Sequence, residues 1–175
     1  MNAKEAIKDL FEQYSADVYR YARLMLGDES DARDVVQEVF FRAYCSWSGY
    51  RKESQPKTWL MTITRNCVFT LYRKKKQESD FLRSYHPLHT SHPSVSPETA
   101  AILEDALSQL KDSYRQVMIL RQIEGLSVKE SAQVLGWSES KVKMTDKRAM
   151  QKLRDILGFD SEEVTKKREP RQTQS

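Results

Sequence analysis

Apolar residues recur at every third and fourth position along most of this chain, the spacing of helices that bury one face. Ile7, Leu10, Phe11 and Tyr14, then Val18, Tyr21, Ala22 and Met25, keep that step until Gly27 ends it, so one long helix or two abutting helices are predicted. Asp28 suits the N-cap of the next segment, in which Ala32, Val35, Val36, Val39, Phe40, Ala43, Tyr44 and Trp47 form an inward stripe. Off that stripe lie Asp34, Gln37, Glu38 and Phe41, an aromatic ring beside carboxylates on an outward face, a combination that suits a partner surface. From Ser46 to Lys57 the period breaks in SWSGYRKESQPK, where Gly49 and Pro56 mark a loop whose aromatic and basic residues suit base stacking. Thr58 to Gln77 is helical again. Leu60, Ile63, Cys67 and Leu71 point inward, Trp59, Asn66, Thr70 and Arg73 follow another side, and the run Arg73-Lys74-Lys75-Lys76 closes the helix. Cations in a last turn satisfy the helix dipole and equally suit contact with a phosphate backbone.

Residues 78–97, ESDFLRSYHPLHTSHPSVSP, hold three prolines and no period, and read as a flexible linker. A second domain opens at Pro97-Glu98 with Ile102, Leu103, Ala106, Leu107 and Leu110 on one helical face. Ser113 with Gln116 is predicted to form a capping box for a helix running through Val117, Leu120 and Ile123 to Gly125. The stretch Leu126 to Leu157 carries the punctuation of a helix-turn-helix. Ser127 with Glu130 is a capping box, Gly136 can end the first helix in a left-handed turn, and Ser138 caps the second. Ala132 is small enough for a helix crossing, and Val142, Ala149 and Leu153 form the inward stripe of the second helix. At about 100° per residue the opposite side presents Ser140, Met144, Lys147, Arg148 and Gln151, flanked by Lys141, Lys143 and Arg154, while Thr145 turns toward the core. Such a cationic face on a second helix is what major-groove reading requires. The pattern predicts an all-α chain of two small domains, residues 1–77 and 98–158, joined by the 78–97 linker and followed by a polar, mobile tail at 159–175.

A formal charge of +4 over 175 residues fits a polyanionic partner, and the clustering of the cations carries more weight than their sum. No apolar run reaches the length of a membrane span or a signal peptide, which predicts a soluble, cytoplasmic protein. Cys45 and Cys67 fit no metal-ligand spacing and read as small buried residues in a reducing compartment. His86, His89 and His92 recur at intervals of three, but Pro87 and Pro93 prevent a helix that would align them and no cysteine or carboxylate completes a ligand set. No metal and no cofactor is expected.

Three blocks in this order, DARDVVQEVFFRAY at 31–44, KTWLMTITRN at 57–66 with its basic extension, and RQVMILRQIEGLSVKESAQVLGWSESKVK at 115–143, resemble the extracytoplasmic-function sigma factors. These are the small two-domain class of the sigma-70 family, and the resemblance covers roughly residues 5–158. It implies a promoter-specificity subunit without catalytic activity, monomeric when free. In that family the first block grips the clamp helices of RNA polymerase, which by position falls on Asp34, Gln37, Glu38 and Phe41. The 47–57 loop and the helix after it melt and capture the minus 10 element, which points to Tyr50, Arg51, Trp59 and Asn66 around a flipped base, with Arg65, Arg73, Lys74, Lys75 and Lys76 on the backbone. The C-terminal domain reads duplex DNA at minus 35 while resting on the polymerase flap. The resemblance further implies a membrane-spanning anti-sigma partner. The family pattern has glycine where Lys52 stands, an aromatic at Pro56, an aspartate at Thr70 and an arginine at Thr145. The minus 35 contacts are therefore taken from the helical face, as Ser138, Ser140, Lys141, Lys143, Met144, Lys147 and Arg148.

Two other classes compete with this reading. A dimeric helix-turn-helix regulator with a sensory N-terminal domain would bind a palindromic operator tightly without polymerase, and leaves the Trp59 to Lys76 block without a role. A histidine-based metallohydrolase would have to be built on the linker.

Overall fold

The structure, a computed structural model, describes residues 2–81 and 98–159. These residues form seven α-helices and no strand. The predicted linker histidines His86, His89 and His92, and the tail from residue 160, lie outside them.

α1 (Ala3–Leu26) is a single helix, begun by the Asn2 side chain and ended at Gly27, whose φ of +70° carries the chain around a corner that a Cβ would strain. α2 (Glu29–Ser46) starts as predicted, with the Asp28 carboxylate accepting the Asp31 amide at 2.8 Å. Its buried face is Ala32, Val35, Val39, Phe40 and Ala43. Tyr44, expected on that stripe, is 52% exposed, because α1 and α3 cover a face too narrow to include its edge. Cys45 is a second correction. Two residues past Ala43 it faces about 200° away from the buried stripe and is exposed, whereas Cys67 is buried on α3. α3 (Pro56–Phe81) continues four residues beyond Gln77, into the stretch read as linker. It buries Thr58, Leu60, Met61, Thr64, Cys67 and Val68, and the Thr64 hydroxyl stays satisfied by donating to the Leu60 carbonyl at 2.7 Å.

In the second half, α4 (Glu98–Ser108) buries Ala106 and Leu107, with Leu110 just beyond it, but Ile102 is 54% exposed and Leu103 is exposed beside it, against expectation. The stripe runs one turn further toward the N-terminus than the helices that cover it. α5 (Asp112–Met118) begins at Lys111 with no side-chain cap, so the predicted Ser113–Gln116 box does not form. Gln116 is instead buried in the core. The reason lies in Arg115, which donates to the carbonyls of Leu107, Ser108 and Leu110 at 2.8–2.9 Å and to Met25 at 3.2 Å. That clamp draws the chain inward before Ser113, and Gln116 falls in the second turn. Past Met118 the helix widens over Ile119–Ile123, where the Glu124 amide reaches the Ile119 carbonyl five residues back at 2.8 Å. α6 (Val128–Leu135) and α7 (Glu139–Leu157) are the predicted helix-turn-helix, with the full capping box of Ser127 and Glu130, Gly136 at φ +65°, and the Ser138 cap.

The two halves pack against each other. α3 lies on α6, α1 touches α4 and α5, and one apolar cluster runs from Ile7 and Leu60 in the first half to Leu126 and Val142 in the second.

The connector between α2 and α3 is closed by the Tyr50 hydroxyl donating to the Ser54 carbonyl at 2.7 Å, and it holds Lys52 at φ +58°. Lys52 thus keeps a left-handed backbone at a residue with a Cβ, at a cost of about 1–2 kcal/mol. Lys52→Gly removes that strain but frees the unfolded chain, so thermal unfolding should show a net gain of about 0.5–1 kcal/mol. An unchanged or lower midpoint contradicts the strain. Burial also raises the Cys67 thiol above its ordinary pKa. A maleimide at neutral pH should therefore label one thiol at once, Cys45, and Cys67 only on unfolding; mass spectrometry of the folded protein reads the difference.

Candidate nucleic-acid interface

Three aromatic rings meet where α3 begins. Tyr50 stacks on Trp59 with centroids 4.5 Å apart and planes 24° from parallel, and Trp47 stands edge-on to Trp59 at 6.0 Å and tilted against Tyr50 at 5.5 Å. The predicted pair Tyr50 and Trp59 is thus brought together, and Trp47 joins it from a short 3₁₀ turn (Trp47–Gly49) rather than from the α2 stripe. The signal that could have found Trp47 was the loss of helical period at Ser46. Burial, with Tyr14 nearby, raises the Tyr50 phenol above its ordinary pKa, so it is a neutral ring at physiological pH. A base of any identity has a π face to offer such a platform, at about 1–3 kcal/mol per stacked base.

From that platform α3 carries the other predicted residues along its length. Asn66 is exposed two turns beyond Trp59, about 10 Å along the axis. Arg51, Arg73, Lys74 and Lys76 are exposed as well. Arg65 departs from its expected role. Its guanidinium lies over the Phe69 ring at 4.7 Å, and its Nε is buried without a hydrogen-bond partner. Lys75 is paired with Asp31 at the start of α2, so the basic run is not uniformly free. On the outer face of α2, Asp34, Gln37, Glu38 and Phe41 are all exposed, Phe41 by 63%, and Glu38 is paired with Arg42 one turn on. Tyr44 and Phe11 extend that apolar surface.

The second surface is built by the turn before α7. Gly136 ends α6, the Ser138 hydroxyl accepts the Lys141 amide at 3.2 Å, and the buried row Val142, Ala149 and Leu153 fixes which side of α7 faces out. Ser138, Ser140, Lys141, Lys143, Met144, Lys147 and Arg148 are all exposed, with Met144 at 55%. Thr145 is partly covered, as the wheel predicts, and Asp146 turns back to Arg121 at 3.4 Å. Trp137, in the turn, holds the Lys141 ammonium over its ring at 4.0 Å.

Between the two surfaces lies a polar cluster that the helical pattern does not reveal. Arg20 on α1 and Lys57 on α3 converge on Glu124, the residue after the widened turn, with N···O distances of 2.8 and 3.2 Å, and both also reach Asp17. The hydrogen bond that Arg20 donates to the Glu124 carboxylate raises its guanidinium above the ordinary pKa. No group of three metal-binding side chains occurs among the described residues, and no helix among them is long and apolar enough to cross a membrane.

Both halves of the chain match known families. Residues 10–78 match the family described as sigma-70 region 2, and residues 100–153 match sigma-70, region 4. The ECF RNA polymerase sigma factor SigX of Bacillus subtilis is 30% identical over 171 residues, covering 92% of this chain and 88% of its own. SigM of the same organism is 32% identical over 154 residues, covering 86% and 94%. Among solved structures, the sigma factor RpoE of Bartonella quintana, in complex with the anti-sigma factor NepR, superposes with a TM-score of 0.79 at 23% identity over 89% of this chain and 99% of that one. CnrH, in complex with the cytosolic domain of CnrY, gives 0.70 at 26% identity over 90% and 91%. With both regions matched in order and relatives aligned along nearly their whole length, the chain belongs to the extracytoplasmic-function RNA polymerase sigma factors of the sigma-70 family, the subunits of promoter-specific transcription initiation.

Proposed function

We propose that residues 1–77 bind the polymerase clamp and capture the melted minus 10 strand, and that residues 98–158 read the minus 35 duplex while resting on the flap. The observation that carries this reading is the Tyr50–Trp59 stack at the head of a helix whose exposed side bears Asn66, Arg73, Lys74 and Lys76. An aromatic platform followed by a cationic track suits an extruded base and its backbone. Arg51 flanks the platform, and Arg65 takes a packing role against Phe69 in the free chain. Asp34, Gln37, Glu38 and Phe41 provide the clamp contact, with Phe41 as its apolar anchor. On α7, Ser140, Lys143, Met144, Lys147 and Arg148 face the major groove, Ser138 fixes the first turn, and Lys141 is aimed by Trp137.

The chain supplies no chemistry of its own in this reading, since the polymerase core makes the phosphodiester bonds. It acts in the cytoplasm as a monomer until it joins the core. The solved relatives, held by an anti-sigma factor and by the cytosolic domain of CnrY, support a regulatory partner with a membrane-spanning part.

Transcription from a genomic promoter library with purified core is the direct test. The protein should select a discrete set of start sites, and core lacking it should select none of them; start sites independent of the protein contradict the reading. Trp59→Ala should cut open-complex formation on duplex promoters by about tenfold or more while leaving pre-melted templates nearly unaffected, and equal loss on both removes Trp59 from the melting step. Lys74→Ala and Lys76→Ala should each lower the slope of log affinity for the melted strand against log salt by about 0.7, whereas Lys75→Ala should lower it less, because Asp31 already neutralises that ammonium.

A further inference from the structure

We infer that Arg20 and Lys57 form a further site for a backbone phosphate of promoter DNA, and that in the free chain the Glu124 carboxylate occupies it. This rests on the proposed reading of the two DNA faces. The Glu124 side chain is 0% exposed, yet it comes from the opposite half of the chain, 104 residues from Arg20 and 67 from Lys57. Arg20 donates to it through both arms of its fork, Nε to Oε1 at 2.8 Å and Nη2 to Oε2 at 3.0 Å. Lys57 adds an ion pair to Oε2 at 3.2 Å and a hydrogen bond to the Glu124 carbonyl at 2.9 Å. A planar fork with an ammonium beside it is the geometry that binds phosphate as readily as carboxylate. Asp17 balances one of the two cations at 2.6 and 3.1 Å, so when Glu124 leaves, the first half keeps an uncompensated positive charge there.

Lys57 stands in the first turn of α3, two residues and about 200° around the helix from Trp59, so an anion bound there lies across that turn from the aromatic platform, on the helix that carries it. The halves also have to part for the chain to work. Elements centred at minus 10 and minus 35 are about 25 base pairs apart, or about 85 Å of duplex at 3.4 Å per pair. A compact chain of this length has a radius of gyration of only about 16 Å. Both elements cannot be held while α6 lies on α3. The same packing sets the base-reading loop against the second half, since Trp47, Tyr50 and Ser54 share a cleft with Ser127, Glu130 and Gln133. Promoter engagement thus exchanges one anion for another, and the two cations remain compensated throughout.

The test uses the full chain and a short mixed-sequence single-stranded oligonucleotide, with binding read by fluorescence anisotropy across a salt series. Glu124→Gln should bind about five- to tenfold more tightly than the parent, because the site is vacated and the halves are released. Glu124→Asp, whose carboxylate is one methylene short of the two cations, should move in the same direction. Thermal unfolding checks that both are folded. Adding Arg20→Ala and Lys57→Ala to Glu124→Gln should abolish the gain and lower the salt slope by roughly 0.7, the value of one phosphate, because Asp17 already balances one of the two cations. A Glu124→Gln or Glu124→Asp protein that binds like the parent overturns the inference. So does a triple variant that keeps the tighter binding and the full slope, for then the cations only tie the halves together. Trp59→Ala in the same assay separates this from the underlying reading. Undiminished binding by Trp59→Ala removes the single-strand face itself, whereas its loss beside an inert Glu124→Gln removes only the phosphate site.

Discussion

A carboxylate stripped of water has to be met by cations at hydrogen-bonding distance, and Glu124 imposes that constraint on the whole chain. The widened turn at Ile119–Ile123 aims it across to the first half, where Arg20 and Lys57 meet it from two different helices. The contact lies beside the packing of α6 on α3. Because removing water from ions offsets much of their mutual attraction, a buried cluster of this kind contributes little net stability. It helps to determine which surfaces meet.

The two nucleic-acid faces follow from how each helix spends its apolar residues. α7 buries Val142, Ala149 and Leu153, which leaves the opposite side free for Ser140, Lys143, Met144 and Lys147. α3 buries Leu60, Met61, Cys67 and Val68 and keeps Asn66, Arg73 and Lys74 outside. In both cases the cap or turn at the N-terminal end sets the rotation, through Ser138 in one helix and through the loop closed by Tyr50 and Ser54 in the other. The caps and loop that orient each face thus lie within its own half, as the proposed separation of the halves requires.

Much of this is legible in the residues because it is local. Caps at Asp28, Ser127 and Ser138, the Gly136 turn and the α7 stripe each depend on neighbours within a few positions, and each forms as the pattern predicts. The departures share the opposite character. Ser113 with Gln116 has the form of a capping box, but Arg115 reaches back to carbonyls of α4 and to Met25 and moves the helix start. Tyr44, Cys45, Ile102 and Leu103 are exposed because burial depends on which helix covers a face, and periodicity does not contain that information. The aromatic pair Tyr50 and Trp59 is visible through composition and the family resemblance. The Glu124 cluster is not, since ion pairs 67 and 104 residues apart leave no mark on a helical wheel.

The central claim is that a closed chain opens to present both faces. Förster transfer between labels on Cys45 and on a cysteine introduced at Lys152, both exposed, measures it directly, with Cys67 protected by burial. High transfer in the free chain that falls when polymerase core and promoter DNA are added is the predicted result; transfer that stays the same from the free chain to the open complex contradicts the account.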